Sequence, residues 1–194
     1  SENEIVDCSS RLRFAGFTSA KGGLVISNAG ECRVRGNRVI RCANGLPIVA
    51  YGVVLDTILG AQIEANQILS NGSQISESTG GMLVRTLADG GSIHDNEFDR
   101  NRGIELRLDN RFDIKEIPPE LVSLVNFYGH REDSGNLRSS AISIQDNRMH
   151  ARHRVCEVHS VDELTFAGNQ VVMALAIPAF FFNIDTGIVS HNRV

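Results

Sequence analysis

Six segments of one template recur along the chain: Val34-Arg-Gly-Asn-Arg-Val39, Ile63-Glu-Ala-Asn-Gln-Ile68, Ile93-His-Asp-Asn-Glu-Phe98, Ile144-Gln-Asp-Asn-Arg-Met149, Phe166-Ala-Gly-Asn-Gln-Val171 and Val189-Ser-His-Asn-Arg-Val194. Each reads apolar, two variable residues, asparagine, a polar residue, apolar. A seventh, partial copy stands at Asn3-Glu4-Ile5. Such a repeat constrains the fold more tightly than composition does. A unit this small cannot bury its own apolar face, so successive units must stack and share one core.

The asparagines at 37, 66, 96, 147, 169 and 192 are spaced by 29, 30, 51, 22 and 23 residues. The last two intervals set the bare period, and the long one is that period plus an insertion of about 29 residues, placed at Arg111–Ser139. Upstream of each block lies a second apolar segment, often opened by glycine, as in Gly23-Leu-Val-Ile26, Gly52-Val-Val-Leu55, Gly81-Met-Leu-Val84 and Gly103-Ile-Glu-Leu106. Apolar residues alternate by two rather than recurring every 3.6, which specifies strands and excludes helical repeats. The period is too short for a propeller blade and lacks the frame of a leucine-rich repeat. Each unit therefore reads as three short strands with an asparagine corner before the last. Asparagine tolerates the left-handed backbone region at such a corner, and stacked amides can bond one another up the coil. Cys8, Cys42, Asn71 and Asn101, five residues past the early corners, form a second aligned row.

With these blocks in view, the chain resembles the right-handed parallel β-helix proteins of the pectate-lyase-like superfold, over nearly all of residues 1–194 except the insertion. The resemblance implies an all-β solenoid of about six turns forming a single domain. It does not choose an activity, because that fold carries lyases, hydrolases, epimerases, tailspikes and adhesins alike. Neither end shows a polar capping segment, so a piece of a longer chain, or ends covered by a partner, is expected. Within the insertion, Pro118-Pro119-Glu120, then Leu121, Leu124, Val125 and Tyr128, then Gly129, predicts a short amphipathic helix lying on the coil.

Composition removes whole classes of function. With 42% hydrophobic and 22% charged residues the chain is globular. A formal net charge of −4 offers no basic patch for a polyanion, so nucleic acid is not an expected partner. No apolar run approaches the ~18–20 residues of a membrane span, and the first residues lack the character of a signal peptide.

Alternation along the first strand of each turn places Val25, Val54 and Leu83 outward as an apolar row, a candidate contact for another domain or subunit. It also places Asp56, Arg85, Glu105, Arg107, Glu157 and His159 outward, on the face where the resembling enzymes bind and cut polysaccharide. Asp56 and Glu105 are the catalytic acid and base candidates. Arg85, Arg107, Glu157 and His159 are the substrate-binding candidates, the arginines suiting an acidic sugar. Two turns separate the carboxylates by about 9.5 Å, the upper limit for an inverting pair. Against catalysis stands the plain role of alternating charges on a solvated sheet, together with the absence of tryptophan and of Asp-Asp or Gly-His-Gly motifs.

His150, His153, Cys156 and His159 recur every three residues, but alternation sends Cys156 and His159 to opposite faces, so neither metal nor cofactor is expected. The other cysteines read as small buried hydrophobes rather than as a disulfide. Asn71-Gly72-Ser73 matches a glycosylation acceptor, yet the second asparagine row accounts for Asn71 better. The expected function is a structural or interaction module of a larger surface or secreted protein, with polysaccharide as the ligand that the resemblance implies. The alternative is a polysaccharide lyase or glycoside hydrolase working on the outer face.

Overall fold

The computed structural model describes residues 3–8, 21–44, 49–73, 79–110, 130–131, 137–173 and 177–194. The helix expected at Pro118–Gly129 lies outside the described residues. Every regular element among the described residues is a strand, and nearly every pairing is parallel. One sheet contains six short strands in the order β1 (Glu4–Val6), β3 (Arg38–Ile40), β5 (Gln67–Leu69), β7 (Glu97–Asp99), β11 (Arg148–Ala151) and β13 (Gln170–Met173). The other contains the long strands β2 (Lys21–Arg35), β4 (Ala50–Glu64), β6 (Gly80–His94), β12 (Arg154–Ala167) and β14 (Ile177–Ser190), with β8 (Ile104–Asp109), β9 (His130–Arg131) and β10 (Leu137–Gln145). This all-β arrangement of parallel sheets is consistent with a β-solenoid.

The register reproduces the repeat. Val34, Ile63, Ile93, Ile144, Phe166 and Val189 pair in one column, and Val39, Ile68, Phe98, Met149 and Val171 in another. All are buried except Val189, 61% exposed on the last strand. Four of the five long strands bend midway where a residue takes positive φ: Thr57 at 56° in β4, Thr86 at 57° in β6, Ser160 at 57° in β12 and Asn183 at 55° in β14. Such a strand is thus two straight segments, and with the following short strand it makes the three segments per unit that the alternation predicts.

In the fourth unit the insertion falls at this bend. β8 pairs with the first half of β6 and of β12, while β10 pairs with their second halves. Fully buried Asn110 clasps the break: its Oδ1 accepts from the Leu87 amide at 3.0 Å, and its Nδ2 donates to Ser139 Oγ at 2.7 Å and to the Ser160 carbonyl at 3.2 Å. An insertion this long is tolerated because its ends are held in the two neighbouring rungs.

The asparagines make a ladder running from Asn3 to Asn192. Asn37, Asn66, Asn96, Asn147 and Asn169 each direct both the backbone N–H and Nδ2 at the Oδ1 of the next asparagine, at 2.9–3.1 Å. Nδ2 also reaches a strand carbonyl of the preceding unit, as Asn96 does to Ile63 at 2.9 Å. The expectation that asparagine itself turns the corner is corrected here. The left-handed residue is the one before it: Gly36, Ala65, Asp95, Asp146, Gly168 and His191, with φ of 52–67°. With the turn already made, the asparagine side chain is directed inward, where its amide serves the buried corner.

Candidate functional site

The outer face of the long-strand sheet carries the sequence candidates in two columns. One runs Val25, Val54, Leu83, Arg107, Glu157, Phe180, and its neighbour runs Ser27, Asp56, Arg85, Asp109, His159, Phe182. The apolar row does not present a free surface. Val54 and Leu83 are buried in a small outer cluster with Tyr51 and Ile104, and only Val25, at 47%, is exposed. Alternation gives the side of a sheet, not whether the rest of the chain covers it.

Glu105 overturns its expected placement. It is fully buried and faces the interior, accepting from the Asn101 amide on Oε1 at 3.1 Å and from Asn101 Nδ2 on Oε2. The cause is local. Gly23, Gly52 and Gly81, which precede Leu24, Val53 and Met82 in each turn, already point inward; a Cβ on Gly52 would lie 2.6 Å from Asn71, and one on Gly81 2.8 Å from Asn101. Two successive residues therefore face the core, and the alternation counted from Leu106 backward fails at 105. Asn71 Oδ1 accepts from the Cys42 amide at 2.8 Å, and Asn101 Oδ1 accepts from Asn71 at 2.8 and 3.0 Å. Glu105 ends this second ladder, its carboxyl standing where the next amide would be. Burial holds its pKa well above the usual glutamate range, although both Asn101 donors favour the ionised form.

The remaining charges engage one another. Arg85 grips Asp56 with two bonds, Nε to Oδ1 at 3.1 Å and Nη2 to Oδ2 at 2.5 Å. Glu157 is bonded on both oxygens, by His159 Nε2 at 2.6 Å and by Arg154 Nη1 at 3.2 Å. These contacts and the nearby Arg107 hold its pKa below the ordinary glutamate range, the His159 bond acting most strongly. Arg107 donates to Asp109 at 2.9 Å and lies 3.7 Å from Glu157. Burial opposes its charge, but Tyr51, Glu157 and Asp109 outweigh that and raise its pKa. The same burial pushes the Tyr51 phenol up. The His159 ring stacks on Phe182 with centroids 4.9 Å apart and planes within 3°.

The structure thus brings Arg107, Glu157 and His159 together, pairs Asp56 with Arg85, and puts Glu105 on the other side of the sheet. Asp109, Arg154, Tyr51 and Phe182 complete the cluster and were not among the sequence candidates. The signal for Asp109 and Phe182 was available, since they share the register column of Asp56 and His159. The spaced histidines and Cys156 do not converge: Cys156 is buried in the core, His159 lies on the outer face, and His150 bonds Asp99 at 2.7 Å from the other sheet. All four cysteines are free thiols, and burial pushes Cys42 up to about 11. Asn71 has no exposed surface to receive a glycan. Among the described residues, no helix is long and apolar enough to cross a membrane. No protein-family model, curated protein or solved structure matches the chain.

Proposed function

We propose that the chain is a structural and interaction module, a right-handed parallel β-helix of about six turns like the pectate-lyase-like proteins it resembles, working within a surface or secreted protein. One observation carries this reading: the candidate carboxylates, Asp56 and Glu157 on the outer face and Glu105 in the interior, are engaged by contacts within the chain. Both oxygens of Asp56 bind Arg85, both oxygens of Glu105 bind Asn101, and both oxygens of Glu157 are bonded. A general acid and base must reach substrate protons with an uncommitted oxygen, and an inverting pair must flank one space. Charges engaged with one another instead fix the geometry of a rigid surface.

The polysaccharide-cleaving alternative keeps one favourable observation, the ionised Glu157 beside the guanidinium of Arg107. A panel of acidic and neutral polysaccharides, assayed for new reducing ends and for unsaturated products, separates the two readings. The module releases neither. Product formation abolished by Glu157→Gln would overturn the module reading in favour of a lyase or hydrolase centred on that cluster.

A further inference from the structure

A net charge of −4 argues against an extended polyanion but does not describe how the charge is distributed. The second corner, which leads from the short-strand sheet back to the long-strand sheet, gathers Arg100 and Arg102 between β7 and β8, and Arg152, His153 and Arg154 between β11 and the start of β12. The two segments are neighbours in the stack: the Arg100 amide donates to the His150 carbonyl at 2.9 Å, and the Arg154 amide to the Gly103 carbonyl at 3.0 Å. Neighbouring strands stand ~4.8 Å apart, so these charges crowd within one Debye length, about 8 Å at physiological ionic strength. The corresponding corner one unit earlier, Ser70-Asn-Gly-Ser73, carries no charge.

The nearby carboxylates leave part of this charge unanswered. Asp99 bonds His150 at 2.7 Å and lies 3.8 Å from Arg100, while Glu157 holds Arg154 and His159. Glu105 lies beneath the corner, fully buried, and burial keeps its pKa well above the usual glutamate range. Arg102, partly buried, and Arg152, exposed, have no side-chain hydrogen bond or ion pair to the described residues. The outward turn of Arg152 has a local cause. Five residues past Asn147, it stands in the row of Asn71 and Asn101, where an amide would accept from the Asn101 backbone; Glu105 Oε1 already does so at 3.1 Å. The ladder therefore has no use for a side chain at 152, and the arginine faces water.

We propose that this corner is a binding site for a compact phosphate-bearing ligand, with Arg102 and Arg152 contacting the phosphate and Arg100 and His153 flanking it. All four formal cations here are arginines, whose planar forks match the oxygens of a phosphate better than the point charge of lysine does. A phosphate monoester carries about two negative charges at pH 7, which the two uncommitted guanidinium groups balance. Acidic side chains bound the patch on both sides, Glu97 and Asp99 on β7, Asp109 and Glu157 on the outer face. A polymer or membrane with charges beyond the corner would meet them, whereas a small ligand would not.

This goes beyond the interaction-module reading, and the two fail separately: cleavage of a polysaccharide would remove the module reading and leave this site standing. The test is calorimetric titration of the full chain with pyrophosphate, with circular dichroism confirming that each variant is folded. One pyrophosphate is expected per chain. Arg102→Ala and Arg152→Ala should each weaken binding about tenfold, and the double variant should abolish it. Arg33→Ala with Arg35→Ala, which removes two exposed arginines from another part of the surface, should leave it unchanged. Absence of binding by the wild type, binding that survives the Arg102/Arg152 double variant, or an equal loss in the Arg33/Arg35 variant would overturn the proposal. Cosedimentation with phosphatidylglycerol vesicles that pyrophosphate does not displace, yet the Arg102/Arg152 variant loses, would overturn it in favour of a membrane surface.

Discussion

Replacing Asn96 by alanine isolates the energetic role of the first ladder. Asn96 is 2% exposed. Its Oδ1 accepts from the Asn66 amide at 3.0 Å and from Asn66 Nδ2 at 2.9 Å, while its own Nδ2 donates to Asn147 Oδ1, Ile63 O and His94 O at 2.9–3.0 Å. The losses are unequal. Asn66 Nδ2 keeps the Val34 and Glu64 carbonyls, and Asn147 Oδ1 keeps the Asn96 amide. The Asn66 backbone N–H loses its side-chain acceptor in a buried corner, which costs about 1–3 kcal/mol. The forfeited side-chain bonds add about 1–2 kcal/mol, so the total is about 2–5 kcal/mol. Asn96→Asp should cost more than alanine, because its second oxygen would meet three acceptors. Asn192→Ala, at the partly exposed end, should cost about 1 kcal/mol or less. Urea unfolding followed by circular dichroism measures all three, with an unchanged m-value confirming that the midpoint shift reports stability. An Asn96→Ala loss no larger than that of Asn192→Ala would refute the reasoning, since the ladder would then contribute no more in the core than at its end.

Glu105 supplies a pH test. Its folded pKa is raised by burial, so its contribution to stability is fully present below the unfolded value, about 4.3, and is lost as pH rises through the folded one. The unfolding free energy of the wild type relative to Glu105→Gln should fall as pH is raised from 4 upward and then level off; a difference that is flat or rises would sink the assignment. Ala65 turns its corner at φ 53°, where the equivalent residues 36 and 168 are glycine. Ala65→Gly should stabilise by about 0.5–1 kcal/mol, the left-handed penalty removed less the backbone entropy glycine adds, and a lowered urea midpoint would count against this.

Much of the architecture was legible in the residues. The six asparagine blocks predict the stacking columns, the register and the partial copy at Asn3, because a period-two apolar pattern within a short repeat has few ways to bury itself. What the sequence pattern could not reach depends on contacts between units. Parity assigns Glu105 outward, but close approach of Asn71 and Asn101 to Gly52 and Gly81 turns two successive positions inward. Parity likewise places Val54 and Leu83 on the outer face, while their burial with Tyr51 and Ile104 depends on packing across strands. The charge cluster was half legible: its columns follow from register, yet the commitment of each carboxylate to a particular arginine, histidine or asparagine is set by rotamers chosen in three dimensions. Periodicity determines which residues share a row; only the tertiary structure decides which of them water can reach and which are already spoken for.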